Sequence, residues 1–361
     1  MSGAVLRVGV VGGGVGGLCL AHGLVRAGVD VTVYERDASP RARGQGYRLH
    51  IDGTGSAALR ECLPPALYQR FADSCYRPAT DSPRITVLSS KLRVLKEIPL
   101  VADSDVPTGA VDRQALRDIL RDGLGERLRF GWECTGFAGA APVRVDFAGG
   151  RTVEVDVLVA ADGTGSRLRR QYLPGAVVRD TGEACVFGRT PLDRVDLPAA
   201  VRHGFVAAVD VLHSRGMALG ALPSAGYLMW ALTARRRSFR ADLDALRPEE
   251  LTTLVQRMIR RWHPELRALV AAAEPDRTAV VPIRIAEPVP PWPSTAVTLL
   301  GDAIHAMSPS GGSGANTALR DAAVLSRELA AGGGIVAAIA RYEAEMIPYG
   351  FAAVARSRRR S

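Results

Sequence analysis

A chain of 361 residues, 47% hydrophobic and 23% charged, has the make-up of a soluble globular protein with room for two ordinary domains, or for one nucleotide-binding domain with a large insertion. The net charge of +9 comes from arginines dispersed along the chain, clustered at Arg235-Arg236-Arg237 and over 356–360. This argues against a nucleic-acid surface and for attraction of anionic small molecules such as a dinucleotide phosphate, with the arginine-rich end read as a frayed tail. The apolar start over 5–20 carries Arg7 and a glycine run, and the five cysteines (Cys19, Cys62, Cys75, Cys134, Cys185) form no CxxC pair, so no signal peptide, membrane association, metal site or disulfide framework is expected, and the location is expected to be cytoplasmic.

A β-branched strand over 6–11 leads into Gly12-Gly13-Gly14-Val15-Gly16-Gly17, then a helix through Arg26 closed by Gly28, then a strand over 29–35 ending in Glu35. Alone, a GxGxxG is a common turn. Between strand and helix, with an acid about twenty residues on, it is a dinucleotide cradle. Gly12 would make the turn, Gly14 allow close approach of a pyrophosphate, Gly17 let helix and strand pack, and Glu35 accept from a ribose hydroxyl; Val15 and Gly16 belong to the same turn. From Arg36 to Gly55 the chain is rich in arginine and glycine without a clear period, which suits a loop along a phosphate-bearing ligand and equally a solvated surface loop. Helical patterns follow over 53–62 and after Pro64-Pro65.

Strand character over 85–101 precedes a helix over 112–124, with Asp112 as its cap. Arg113, in the first turn, opposes the helix dipole, which points to a ligand. Strands are expected over 127–137, 143–147 and 152–155, the last two joined at Gly149-Gly150. An apolar strand over 157–161 ends in Asp162-Gly163, at the carboxyl end where α/β sheets bind ligands, although Asp-Gly is also a common turn dipeptide.

From 183 to 282 the texture changes to alternating runs (184–189, 204–212, 217–222, 227–234) and two helices (248–262, 264–273), which read as an inserted antiparallel-sheet domain. The apolar strand over 296–300 then runs into Gly301-Asp302, a loop through Pro309, Gly311, Gly312, Ser313, Gly314, Ala315 and Asn316, and a helix over 315–329. A last helix over 335–355 is expected to break near Pro348. The fold class is therefore α/β: a Rossmann-like nucleotide-binding domain over 1–75, 102–182 and 283–330, a substrate domain over 76–101 and 183–282, and a C-terminal helix over 335–361.

No Ser/His/Asp order, HExxH or paired carboxylates are visible, and His305 reads as a structural hydrogen-bonding residue more than as a general base. Chemistry without a protein nucleophile belongs to a cofactor. An NAD-type site needs one cradle; three of them imply a longer ligand, and FAD fits.

The motifs Gly12 to Gly17, Ala161-Asp162-Gly163-Thr164-Gly165-Ser166-Arg167, and Gly301-Asp302-Ala303-Ile304-His305 through Pro309, Gly312, Gly314, Asn316 and Asp321-Ala322 carry a resemblance that covers nearly the whole chain. They resemble those of the class A, single-component FAD-dependent aromatic hydroxylases of p-hydroxybenzoate hydroxylase fold (GR2-type FAD-binding domain), with a layout similar to the tetracycline-inactivating monooxygenases. Ile304, where the family usually has alanine, is a departure. The resemblance implies that Asp302 binds the ribityl chain, that Pro309 and Gly311 to Asn316 wrap the isoalloxazine, that Arg113 and Arg43 contact the flavin, and that Glu35 and Arg36 serve the nucleotide end. Asp162-Gly163 would serve both FAD and NADPH or NADH.

The implied reaction is NAD(P)H- and O₂-dependent hydroxylation or epoxidation of an aromatic or polycyclic small molecule through a flavin C4a-hydroperoxide, in natural-product tailoring or antibiotic modification. The protein would be a monomer or homodimer. Met217, Leu219, Met229 and Trp230 would line the substrate pocket, or else serve as ordinary sheet core. A flavin halogenase or reductase on the same fold and a catalytically silent flavin-binding ligand sensor remain the alternatives.

Overall fold

The computed structural model describes residues 5–42, 47–77, 84–99, 106–198, 201 and 205–358. Its strands, in chain order, are β1 (Arg7–Val11), β2 (Asp30–Glu35), β3 (Arg48–Ile51), β4 (Arg84–Ser89), β5 (Val94–Pro99), β6 (Gly109–Asp112), β7 (Leu128–Phe130), β8 (Cys134–Ala138), β9 (Val143–Phe147), β10 (Thr152–Val155), β11 (Val157–Ala160), β12 (Val178–Pro191), β13 (Phe205–Asp210), β14 (Arg215–Leu222), β15 (Tyr227–Arg235), β16 (Ala279–Ala286) and β17 (Val297–Leu299).

The fully apolar runs become the buried parallel sheet, in the order β17-β11-β1-β2-β7. On one face the helix Val15–Arg26 crosses the helix Gly314–Ala330 closely. Small residues permit this: a Cβ on Gly23 would come within 2.4 Å of Ser326 Oγ, and one on Gly16 within 3.1 Å of Ala318 Cβ. An antiparallel sheet, β10-β9-β8, covers the other side.

The alternating runs form a second sheet, β16-β12-β15-β14-β13-β4-β5. It is antiparallel except where β4 enters parallel to β13. Successive side chains point to opposite faces, and both faces of this sheet are apolar. Leu228, Trp230 and Leu232 of β15 turn to the helices Pro248–Met258 and Pro264–Ala271, whose Leu251, Leu254, Val255, Leu266 and Leu269 complete one core. Tyr227 and Met229, with Phe187 of β12, turn to the core shared with the parallel sheet.

Three readings from sequence are corrected. The period-free segment after Arg36 contains β3, which pairs with β6 at Arg48↔Asp112 and Ile51↔Gly109; a four-residue strand whose partner lies some sixty residues on has no local signature. The helix Ile335–Arg358 runs unbroken through Pro348, held on both sides of it by the buried Tyr342, Met346, Phe351 and Val354. Its end does not fray within the described residues, because Ser357 Oγ accepts from Ser308 N at 3.2 Å and Arg358 donates to Ala286 O at 3.0 Å. None of the described helices is long and apolar enough to cross a membrane.

Candidate cofactor and substrate site

Because β17, β11 and β1 are parallel neighbours, their carboxyl ends open side by side, about 4.8 Å apart. Each ends in one of the three turns. Gly12 has φ +119°, and a Cβ there would lie 2.2 Å from Ala161 O, so the first turn requires glycine. Gly17 is as tight, its Cβ position 2.2 Å from Gly12 O. Gly14 is the opposite case: no described atom lies within 4 Å of where its Cβ would sit. It stands at the start of the helix Val15–Arg26, which has neither a side-chain cap nor an acid in its first turn. Free N–H groups facing open space form an anion site.

Glu35, 5% exposed, accepts from Gly13 N at 2.8 Å and Asp37 N at 2.9 Å. It thus braces the glycine turn. Arg36 beside it is exposed, and Arg43 lies outside the described residues. Arg113 begins the helix Arg113–Arg121, and its N–H donates to Tyr47 O at 2.6 Å. Arg117, one turn on, was missed from sequence. It reaches Gly13 O at 3.4 Å while its Nε is buried without an acceptor; the i, i+4 spacing from Arg113 was the available signal.

At the middle turn, Asp162 Oδ2 accepts from Arg167 N at 3.0 Å, whereas Oδ1 is buried and unpaired. Burial pushes this carboxyl above the usual range. Gly163 follows with φ +77°. Arg169, also missed, ties this turn to the next by donating to Thr164 O at 3.1 Å and Ala303 O at 2.9 Å. A groove of about 320 Å³ opens beside Thr164 and Gly165, flanked by Arg169, Arg170 and Arg284.

At the third turn Gly301 has φ +64°, and its N–H donates to Asp321 Oδ2 at 2.8 Å. Asp302 is exposed, 3.5 Å from Thr164 Oγ1. Pro309 and Gly312 are exposed, Gly311, Ser313, Gly314 and Ala315 half-buried. The helix Gly314–Ala330 again starts without a side-chain cap. The Asn316 side chain is committed elsewhere: Nδ2 donates to His50 O at 2.8 Å and Oδ1 accepts from Asp52 N at 3.0 Å. It therefore clamps the turn onto β3 and offers a ligand only its backbone. His305 is buried against Asp321.

Two uncapped helix starts, open space at Gly14 and the orphaned Asp162 Oδ1 fit an extended ligand with an anionic centre and hydroxyl groups, as FAD is.

Met217, Leu219 and Trp230, expected to line a substrate pocket or else to be ordinary sheet core, are sheet core. They point into the core with the helices over 248–271, and a Cβ on Gly188 would sit 2.3 Å from Trp230 Cζ2. Of the four expected residues, only Met229 packs towards the nucleotide-binding core. The residues beside it were not foreseen. Tyr47 meets Phe187 and Tyr227 edge-on, with centroids 5.8 Å and 6.0 Å away, and Arg48 lies over the Phe205 ring at 5.3 Å.

The family described as FAD binding domain matches residues 122–357, and that described as NAD(P)-binding Rossmann-like domain matches residues 10–66. The chain is 33% identical, over 90% of its length, to the dual O-methyltransferase/FAD-dependent monooxygenase elcB of Phaeosphaeria nodorum. It spans 40%, 44% and 41% of the length of elcB and of two Cercospora relatives of the same kind. With the aurachin C monooxygenase/isomerase of Stigmatella aurantiaca it shares 30% identity over 94% of this chain and 84% of that protein. A solved structure from Photorhabdus luminescens, described as an FAD-containing monooxygenase, superposes with TM-score 0.85 at 32% identity, covering 98% of this chain and 97% of the other. Tetracycline destructase Tet(51) shares the fold at TM-score 0.71 and 20% identity, over 97% of this chain and 89% of its own. The chain belongs to the FAD-binding-domain family that includes the FAD-dependent monooxygenases.

Proposed function

We propose that this protein is an FAD-dependent monooxygenase that uses NADPH or NADH and O₂ to hydroxylate or epoxidise an aromatic or polycyclic small molecule. The observation that carries this reading is the juxtaposition of three glycine turns at neighbouring ends of one parallel sheet. A single mononucleotide would need one of them.

Bound FAD would supply the redox and oxygen-transfer chemistry. The chain's part is to hold, orient and shield. The uncapped helix start at Gly14 and the Arg117 guanidinium suit a pyrophosphate, Asp162 and Asp302 suit hydroxyl groups, and the helix start at Gly314 favours negative charge gathering near it. NADPH or NADH would approach along the groove between Arg169, Arg170 and Arg284, whose charges suit phosphates. Tyr47, Phe187 and Tyr227, buried in the core shared with the parallel sheet, would back a planar substrate and exclude water. The named activities of the relatives, monooxygenation by elcB and by the aurachin C enzyme, support a natural-product substrate.

The test is to mix the FAD-loaded protein with NADPH or NADH, O₂ and a panel of phenols, quinolones and polycyclic aromatics. Stimulated oxidation of the nicotinamide together with a product heavier by one oxygen atom is expected. Neither signal across the panel would reject the reading.

A further inference from the structure

Arg48 is a half-buried cation that faces no anion among the described residues. On the β3–β6 ladder it stands directly opposite Asp112, where an arginine and an aspartate share a face and ordinarily pair. The aspartate is engaged elsewhere. Its Oδ1 accepts from Ala115 N at 2.8 Å as a helix cap, and its Oδ2 accepts from Tyr227 Oη at 2.8 Å.

Arg48 has no hydrogen-bond acceptor and no ion-pair partner among the described residues, and its Nε is buried. Its stem presses on Gly220, where a Cβ would come within 2.8 Å of Arg48 Cδ, and its guanidinium lies over Phe205. Burial lowers its pKa to about 10, so it is still charged at neutral pH. Other arginines with a buried, unpaired Nε are better satisfied: Arg169 donates to two carbonyls, and Arg215 donates to Met258 O at 2.6 Å.

The location ties this charge to the substrate side. His50, two residues on along β3, has its carbonyl bound by Asn316 at the Gly312–Asn316 turn, which puts Arg48 about 7 Å along the strand from that turn. Tyr227 and Tyr76 lie near Arg48. A buried N–H without an acceptor is costly to keep, and a ligand that brings an anionic oxygen to it removes the cost.

We propose that Arg48 is a specificity-determining anchor for an ionised oxygen on the substrate, a phenolate or enolate carried by a planar ring system that lies against Phe205 and the Tyr47–Phe187–Tyr227 face. This rests on the monooxygenase reading and names its substrate class. Holding the ionised form enriches the ring carbons ortho and para to that oxygen, which are the positions an electrophilic oxygen atom attacks.

The test is isothermal titration calorimetry on the FAD-loaded protein with 2-hydroxy-1,4-naphthoquinone, an acidic enol ionised at neutral pH, and with its methyl ether, 2-methoxy-1,4-naphthoquinone. Wild-type protein should prefer the ionised enol at least about tenfold, the scale of one charge-assisted hydrogen bond. Arg48→Met should abolish the preference and Arg48→Lys retain part of it. The melting midpoint of Arg48→Met should not fall, because a cation that faces no anion among the described residues has been removed. No preference in the wild type, equal weakening of both probes in Arg48→Met, or a lowered midpoint with the preference intact would overturn the assignment. Nicotinamide oxidation is measured separately across the panel of phenols, quinolones and polycyclic aromatics, so an anion preference without turnover of any member rejects the monooxygenase reading and leaves the anchor standing.

Discussion

Asp321 Oδ2 lies 2.6 Å from His305 Nε2 and accepts the Gly301 N–H at 2.8 Å, with both side chains fully buried. The other oxygen accepts from Tyr349 Oη at 2.6 Å. One carboxylate on the helix Gly314–Ala330 therefore binds the end of β17, the turn after it and the C-terminal helix, and so positions Asp302 without touching it. Asp321→Ala should lower stability by about 3–5 kcal/mol, the cost of breaking a buried pair, and weaken FAD retention. Tyr349→Phe should cost about 1–2 kcal/mol. Thermal melts and FAD titration check both, and an Asp321→Ala protein as stable as wild type would refute the keystone role.

The same pair sets a pH dependence. Burial pushes the His305 imidazole down, but the Asp321 charge and hydrogen bond, with the Asp302 charge, push it up further, and the balance lies above the usual 6.5. A raised folded value favours the protonated form in the native state. The resulting stabilisation is complete below about pH 6.5 and is lost as pH rises through the raised value. The melting midpoint of the FAD-free protein should thus decline above about pH 6.5, and His305→Gln should flatten that decline. An identical decline in the variant would exclude His305 as its source.

Three substitutions separate cradle from scaffold. Gly14→Ala adds a Cβ to open space and should change folding by less than about 1 kcal/mol while weakening FAD binding. Gly17→Ala drives a Cβ onto Gly12 O and should destabilise by roughly 1–3 kcal/mol. Asp302→Ala, at an exposed position, should reduce FAD retention with a folding effect within about 0.5 kcal/mol. Stoichiometric FAD in the Asp302 or Gly14 variant would remove that residue from the cradle.

The two faces of β15 make a paired prediction. Trp230→Ala empties a site in the helix-side core and should cost about 3–5 kcal/mol. Met229→Ala, on the half-buried opposite face, should cost less and alter the affinity for planar ligands. Equal effects on ligand affinity would contradict the assignment of faces.

Sequence alone determined what is written in neighbouring residues. A β-branched run, a glycine turn and a 3.6-residue period are local, so β1 with the helix Val15–Arg26 and β17 with the helix Gly314–Ala330 were legible, and with them the family. Pairings across the chain were not. β3 has two polar residues in four and is a strand only because β6 supplies its hydrogen bonds.

Tertiary structure alone decided which way each apolar face points. Period two shows that β14 and β15 have two faces, but when both are apolar the pattern carries no sign, so Met217, Leu219 and Trp230 could not be told from Met229. It also decided the state of each charge. That Asp112 turns to Tyr227 and leaves Arg48 without an anion among the described residues follows from where a distant strand packs, because the energy of an ion depends on which neighbours the fold brings within a few ångströms.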